Sequence, residues 1–244
     1  MAELLWLNGE IIPLAEAHVG IEDRGFQFAD GVYEVIRLYN RKPFALDQHL
    51  QRLQKSAAGI LLGVPMALPA LAVEIGKFLA RASVTEGMIY LQLTRGCAPR
   101  SHAFSQTKPT LLFYARNLPP LADLATSEGV KLITVPDERW KRCWIKSIAL
   151  LPNVLAKNQA LAAGADEAVF IENGLVTECS ASNIFAVIGR RLKLPVHAVP
   201  PETYGPLGPI FAMDQPSSSA HTRETLGWNP THESLLEDLE NIQP

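Results

Sequence analysis

The chain has 244 residues, 48% of them apolar and 19% charged, enough to bury a substantial core in one large or two modest domains. A net charge of -3, scattered along the chain, leaves no basic field for nucleic acid or an anionic membrane and points to small-molecule partners. Cys97, Cys143 and Cys179 form neither a C-x-x-C pair nor a metal-ligand set, no stretch is long and apolar enough for a membrane span, and no signal peptide is recognisable, so a cytoplasmic location and no metal are expected.

In chain order, Leu4 to Leu14 places two short apolar runs around Asn8-Gly9 and predicts an opening β-hairpin. Glu22 to Tyr39 follows, with turns expected at Gly25 and Asp30-Gly31 and a half-buried strand over Val32 to Tyr39, where apolar residues alternate. Tyr33 begins that strand. A turn at Asn40-Arg41-Lys42-Pro43 leads to a helix over Leu46 to Leu62, with Asp47 as the expected N-cap, and then to a helix over Ala67 to Ala82. His49 and Arg52, three apart, share one face of the first helix and read as its solvated edge. Met88 to Arg95 alternates as a strand, and the loop after it carries Arg100 and His102. On an extended chain these two side chains point the same way and could clamp a carboxylate, although taken alone they read as two exposed polar loop residues. Pro109 to Ala115 predicts a strand, and Asn117-Leu118-Pro119-Pro120 has the composition of an interdomain linker.

Farther on, Val130 to Val135 predicts a strand, Asn153 to Gly164 a helix ended by glycine, Glu167 to Glu178 a hairpin about Asn173-Gly174, and Ser180 to Ile188 a further strand. Strands and helices are interspersed, as in an α+β fold. Within Trp140 to Asn153, Lys146 sits among apolar residues. Lysine is strongly hydrated and seldom buried without a partner or a use, and a desolvated lysine more readily offers a free amine to a carbonyl. Lys146 is therefore either a Schiff-base amine or a lysine whose stem covers apolar surface while its ammonium reaches water. Glu178, followed by Ser180 and Ser182, is either an anion beside a bound heterocycle or an ordinary turn carboxylate.

Five ordered motifs together resemble the fold-type IV family of pyridoxal-phosphate enzymes, which holds D-amino acid transaminases, branched-chain aminotransferases and aminodeoxychorismate lyases. They are Glu22 to Glu34, the helix bearing His49 and Arg52, Thr94 to His102, the Lys146 segment, and Val176 to Asn183. The Arg-x-His pair makes the chain most similar to the D-amino acid transaminases. The resemblance implies a two-domain α+β fold: an N-terminal α+β domain over 1–117, a linker over 118–121 and the start of a cofactor-binding domain over 122–188. It also implies pyridoxal 5'-phosphate held by Lys146 as a Schiff base, with Arg52 on the phosphate, Glu178 on the pyridine nitrogen and Ser182 nearby. Ala181 stands where relatives of the D-amino acid type carry serine. Tyr33, Arg100 and His102 would bind the substrate carboxylate, the last two reaching in from the partner of a homodimer. The implied activity is ping-pong transamination of D-amino acids such as D-alanine with 2-oxoglutarate.

The resemblance stops after Ile188. Residues 189–244 are rich in proline and show neither the Gly-[Ile/Val]-Thr-Arg loop that holds the cofactor phosphate in the family nor the later Thr/Ser-rich turn. This tail reads as disordered or as the product of a reading-frame displacement, leaving the cofactor-binding domain incomplete. Two alternatives follow: a non-catalytic or defective homologue with weak cofactor binding, and an active branched-chain aminotransferase or aminodeoxychorismate lyase.

Overall fold

Alternation of buried and more exposed residues runs through the long strands of the N-terminal half. The computed structural model describes residues 3–104, 106–119 and 129–184. The opening hairpin is β1 (Leu4–Leu7) and β2 (Glu10–Pro13), with Asn8 and Gly9 both at positive φ as the two-residue turn requires. The turn expected at Gly25 is instead a short helix, α1 (Arg24–Phe28), because the Asp23 carboxylate caps it by accepting from the Gly25 N–H, and Ala29 closes it in the left-handed region.

Strand β3 (Gly31–Tyr39) pairs along most of its length with β5 (Gly87–Thr94), which pairs with β6 (Thr110–Asn117). With β4 (Lys42–Pro43) they make a six-stranded antiparallel sheet in the order β2-β1-β6-β5-β3-β4. Helices α2 (Leu46–Gly59) and α3 (Leu68–Arg81) complete this half. Val32, Ile36 and Leu38 of β3 are packed with Leu50, Leu53 and Ala57 of α2 and Leu71, Ile75 and Phe78 of α3. Trp6 stacks on Phe113 at 4.8 Å and Phe78 meets Phe113 edge-on at 5.4 Å. Asp47 is not the N-cap of α2: Ala45 holds that place with no side-chain bond, and Asp47 lies inside the first turn, where its charge still favours the helix dipole.

The second half has β7 (Leu132–Pro136) parallel to β8 (Glu167–Glu172), with α4 (Leu151–Ala162) between them in sequence. β9 (Leu175–Cys179) returns antiparallel to β8 through the Asn173-Gly174 turn. Ala156 and Ala160 of α4 pack with Val135, Ala168 and Phe170 as a small second core. Where a strand is expected from Ser180, the first residues form bends instead. Ser180 and Ser182 turn their hydroxyls onto Glu167, which favours a compact turn over an extended ladder. The α+β expectation thus holds, and the described residues up to Asn183 form one compact unit. Residues 120 and 121 of the expected linker, residues 185–188 of the expected strand, and the tail 189–244 lie outside the described residues. Among the described residues no helix is long and apolar enough to cross a membrane, and no cluster suits a metal ion.

Candidate active site

Two elements converge on the lysine segment. β4 occupies only the Leu38–Tyr39 end of the free edge of β3, which leaves the Gly31–Tyr33 end open. The chain beyond Trp140 takes that place: the Tyr33 N–H donates to the Lys146 carbonyl (3.0 Å), the Ile148 N–H to the Gly31 carbonyl (3.1 Å), and Val32 bridges Ser147. From the other side, the Lys146 N–H donates to Ser56 Oγ of α2 (3.1 Å). Lys146 lies in irregular chain, yet its backbone is tied to a strand and a helix at once. Its Nζ sits 4.4 Å from the Tyr33 ring centroid and 3.4 Å from Tyr33 Oη. The ring face and hydroxyl give the amine company, and among the described residues no carboxylate locks it in a salt bridge.

Lys146 opens on a cavity of about 520 Å³ that Tyr33, Arg52, Glu178 and Ser182 also line. The sequence-predicted residues of the lysine, phosphate and ring-nitrogen groups therefore share one cavity. Arg52, whose side chain is half exposed, and His49 are more than a solvated helix edge, because both are tied to Glu34. Arg52 donates from Nε and Nη2 to the two oxygens of Glu34 (2.7 and 2.6 Å), and His49 Nδ1 lies 2.8 Å from Glu34 Oε2. Glu34 has no exposed side-chain surface. Burial pushes its carboxyl up, but hydrogen bonds and charge from Arg52 and His49 outweigh that and hold it below the usual carboxylate range. An ionised carboxylate only accepts, so His49 donates through Nδ1–H.

Glu178 reaches the cavity through a β-bulge. Val176 pairs with Ile171 but Glu178 pairs with Phe170, so Thr177 is an extra residue. Directly opposed residues share a face, and the bulge turns Glu178 to the side of Phe170. Thr177 meanwhile ties the bulge down, donating to Asp137 Oδ2 (2.7 Å) while the Phe170 carbonyl lies 3.2 Å away. Beside it, Arg139 grips Asp137 with two hydrogen bonds (2.9 and 2.7 Å) and stacks 4.7 Å from the Phe170 centroid. Arg139 holds the Asp137 carboxyl at about 2, despite the upward push of burial. Ser182 donates to Glu167 Oε2 (2.9 Å), and Ser180 donates to Glu167 Oε1. The proton of each hydroxyl is thereby committed to the carboxylate, and the cavity meets their lone pairs.

Arg100 and His102 are not brought to this cavity within the chain. Arg100 lies over Phe28 (4.6 Å to the centroid), and His102 lines a second cavity of about 560 Å³ together with Arg24, Asp30 and Arg95. Both are exposed.

Sequence reasoning passed over Glu34, Ser56, Arg139 and Asn153, which frame the lysine cavity or its supports. Glu34 did carry a signal. The alternation that predicts β3 puts it on the face of Val32, Ile36 and Leu38, where a carboxylate needs partners. The helix face bearing His49 and Arg52 supplies them.

The family model for class IV amino-transferases matches residues 31–199. A D-alanine aminotransferase of Listeria monocytogenes serotype 4b (strain F2365) is 44% identical over 181 residues, 73% of this chain and 63% of that protein. One from Staphylococcus haemolyticus is 40% identical over 186 residues, 75% of this chain and 65% of that protein. Among solved structures, the branched-chain aminotransferase of Thermoproteus uzoniensis with norvaline superposes with a TM-score of 0.66 at 24% identity, over 74% of this chain and 63% of that one. A T.th. branched-chain amino acid aminotransferase with pyridoxamine 5'-phosphate gives a TM-score of 0.63 at 25% identity, over the same shares. This chain spans about 63% of the length of the first of these relatives.

Proposed function

The chain belongs to the class IV aminotransferase family, and from that premise we propose that it binds pyridoxal 5'-phosphate in the Lys146 cavity and transaminates D-amino acids, D-alanine with 2-oxoglutarate among them. The observation that carries the proposal is the convergence of an amine, a guanidinium and a carboxylate on one cavity: Lys146, Arg52 and Glu178. The donor set fits the cofactor. When bound, pyridoxal 5'-phosphate supplies an aldehyde that condenses with an amine and a pyridinium ring that draws electrons from the substrate Cα.

Lys146 is the amine, held at its backbone by β3 and α2 and at its tip by Tyr33. With the cofactor bound, its Nζ would take the proton from the substrate Cα as a general base and return it as an acid. Glu178 holds a proton on the ring nitrogen. Arg52 binds the phosphate, where a guanidinium fork suits the oxygens. Tyr33 offers its hydroxyl to the substrate carboxylate. Arg100 and His102, which do not line their own chain's lysine cavity, serve the cavity of a partner in a homodimer. Three free cysteines suit a reducing cytoplasm.

D-amino acids are favoured by the identity to D-alanine aminotransferases; branched-chain amino acids are the second reading, favoured by the branched-chain amino acid aminotransferase that superposes at 25% identity. Incubating the purified protein with pyridoxal 5'-phosphate should give a visible absorbance band. Borohydride should bleach it and leave a pyridoxyl group on the Lys146 peptide by mass spectrometry, and Lys146→Ala should abolish both. A colourless wild-type protein would overturn the cofactor reading and leave a non-catalytic homologue.

A further inference from the structure

A buried carboxylate in an apolar strand face is expensive, and replacing such an ion pair by apolar groups is often neutral or stabilising. Glu34, fully buried between Val32 and Ile36, is therefore poorly explained as a stabilising device. Its geometry suggests another role. Glu34 takes Nε and Nη2 of Arg52 together and leaves Nη1, among the described residues, without a hydrogen-bond partner on a side chain that lines the Lys146 cavity. The Arg52 side chain is 50% exposed, so without Glu34 its rotamers would be free and their entropy would be lost only on binding. His49 completes the holder by donating to the same carboxylate, which keeps Glu34 from rotating away.

We propose that Glu34 is a positioning residue that presents the remaining edge of the Arg52 guanidinium to the phosphate of the cofactor, a role that rests on the pyridoxal 5'-phosphate reading above. Glu34 thus trades charge for direction. It cancels one positive charge beside an anionic ligand, yet it fixes the fork that must meet the phosphate oxygens. The two effects predict opposite results for one substitution. Glu34→Gln raises the net positive charge of the site, so simple attraction would tighten binding of pyridoxal 5'-phosphate. Positioning predicts the reverse.

The test compares dissociation constants of the full chain for pyridoxal 5'-phosphate and for pyridoxal, which lacks the phosphate, by absorbance titration. Glu34→Gln should weaken pyridoxal 5'-phosphate by about tenfold, the scale seen when a partner that orients a ligating group is removed. Pyridoxal binding should not change, and in an Arg52→Ala background Glu34→Gln should have no further effect. A general loosening of the fold would weaken both ligands alike and overturn the proposal, as would equal or tighter pyridoxal 5'-phosphate binding. Should Glu34→Gln not fold, Glu34→Asp keeps the buried charge but withdraws it from Arg52 and should show the same selective loss. Failure of both variants to fold makes Glu34 a purely structural carboxylate and overturns the proposal. Wild-type protein that binds neither ligand sinks the cofactor reading itself, whereas wild-type binding with an unchanged ratio in the variants sinks only the role of Glu34.

Discussion

At the scale of single residues, the cavity holds each charge by a different device. Lys146 rests on an aromatic face, Arg52 on a buried carboxylate, and Glu178 on the Cys179 N–H, which lies 3.2 Å from Oε1. Glu178→Gln keeps the shape but cannot hold a full proton on a ring nitrogen, so turnover should fall by at least about a hundredfold while the dissociation constant for the cofactor changes little. Steady-state kinetics beside an absorbance titration would separate the two. Asp137 makes a second residue-scale prediction. Its carboxyl sits at about 2 in the folded chain against 3.8 ordinarily, so the stabilisation it gives is complete above about pH 4 and is lost as pH falls through about 2. Asp137→Asn should cost about 2 kcal/mol at pH 7, and the urea midpoints of variant and wild type should converge on acidification. Tyr90, by contrast, is pushed up to about 12 by burial and the neighbouring Tyr114 and Tyr33, and donates to Gln92 Oε1 as a neutral phenol.

At the scale of elements, periodicity and turn chemistry made most of the fold legible. Asn8-Gly9 and Asn173-Gly174 are the hairpin turns they promise to be, and Val32 to Tyr39 alternates because one face packs on α2 and α3. Three features had no such signal. Asp23 capping converts the Gly25 turn into α1, the bulge at Thr177 re-aims Glu178, and the Lys146 segment pairs with β3 across more than a hundred residues of chain. The bulge is an inserted residue that alternation does not reveal and the Lys146 pairing a contact distant in sequence, whereas the Asp23 cap is local and was masked by the turn character of Gly25. That Lys146, Glu178 and Arg52 belong together was legible from ordered motifs, and they line one cavity, whereas the place of Glu34 shows only when β3 and α2 are taken together.

Two glycines let the lysine segment approach. A Cβ on Gly31 would lie 2.7 Å from the Leu93 carbonyl oxygen and 3.0 Å from Ile148 Cδ1, and one on Gly59 would meet Trp144 and Ile145 at 2.6 and 2.8 Å. Gly31→Ala pushes against a sheet backbone that cannot yield. It should destabilise the protein by about 1–3 kcal/mol, measured by denaturant unfolding, and lower the yield of the visible band.

At the scale of the molecule, the chain spans about 63% of its curated relatives' length, yet the described portion contains the lysine cavity wall contributed by β3, α2, α4 and β9. The exposed faces that remain include Leu151, Val154, Leu155 and Leu161 of α4, each more than half exposed. The dimer reading makes a quantitative prediction. If Arg100 serves the partner's cavity, Lys146→Ala and Arg100→Ala chains are each inactive, but mixing and reassociating them should restore about a quarter of wild-type activity, because half the dimers then carry one intact site of two. No recovery on mixing would place Arg100 outside the site. Comparing kcat/KM for D-alanine and L-leucine would then separate the two substrate readings.

The ties on the lysine segment have a further consequence. Irregular chain usually exchanges its amide hydrogens with solvent quickly, because nothing has to break first. Here the amides of Tyr33, Lys146 and Ile148 are donors that join the segment to β3 and α2. Those three protons are released only when the segment lifts away, so their exchange rates clock the opening of the site itself, and a bound ligand should slow all three together.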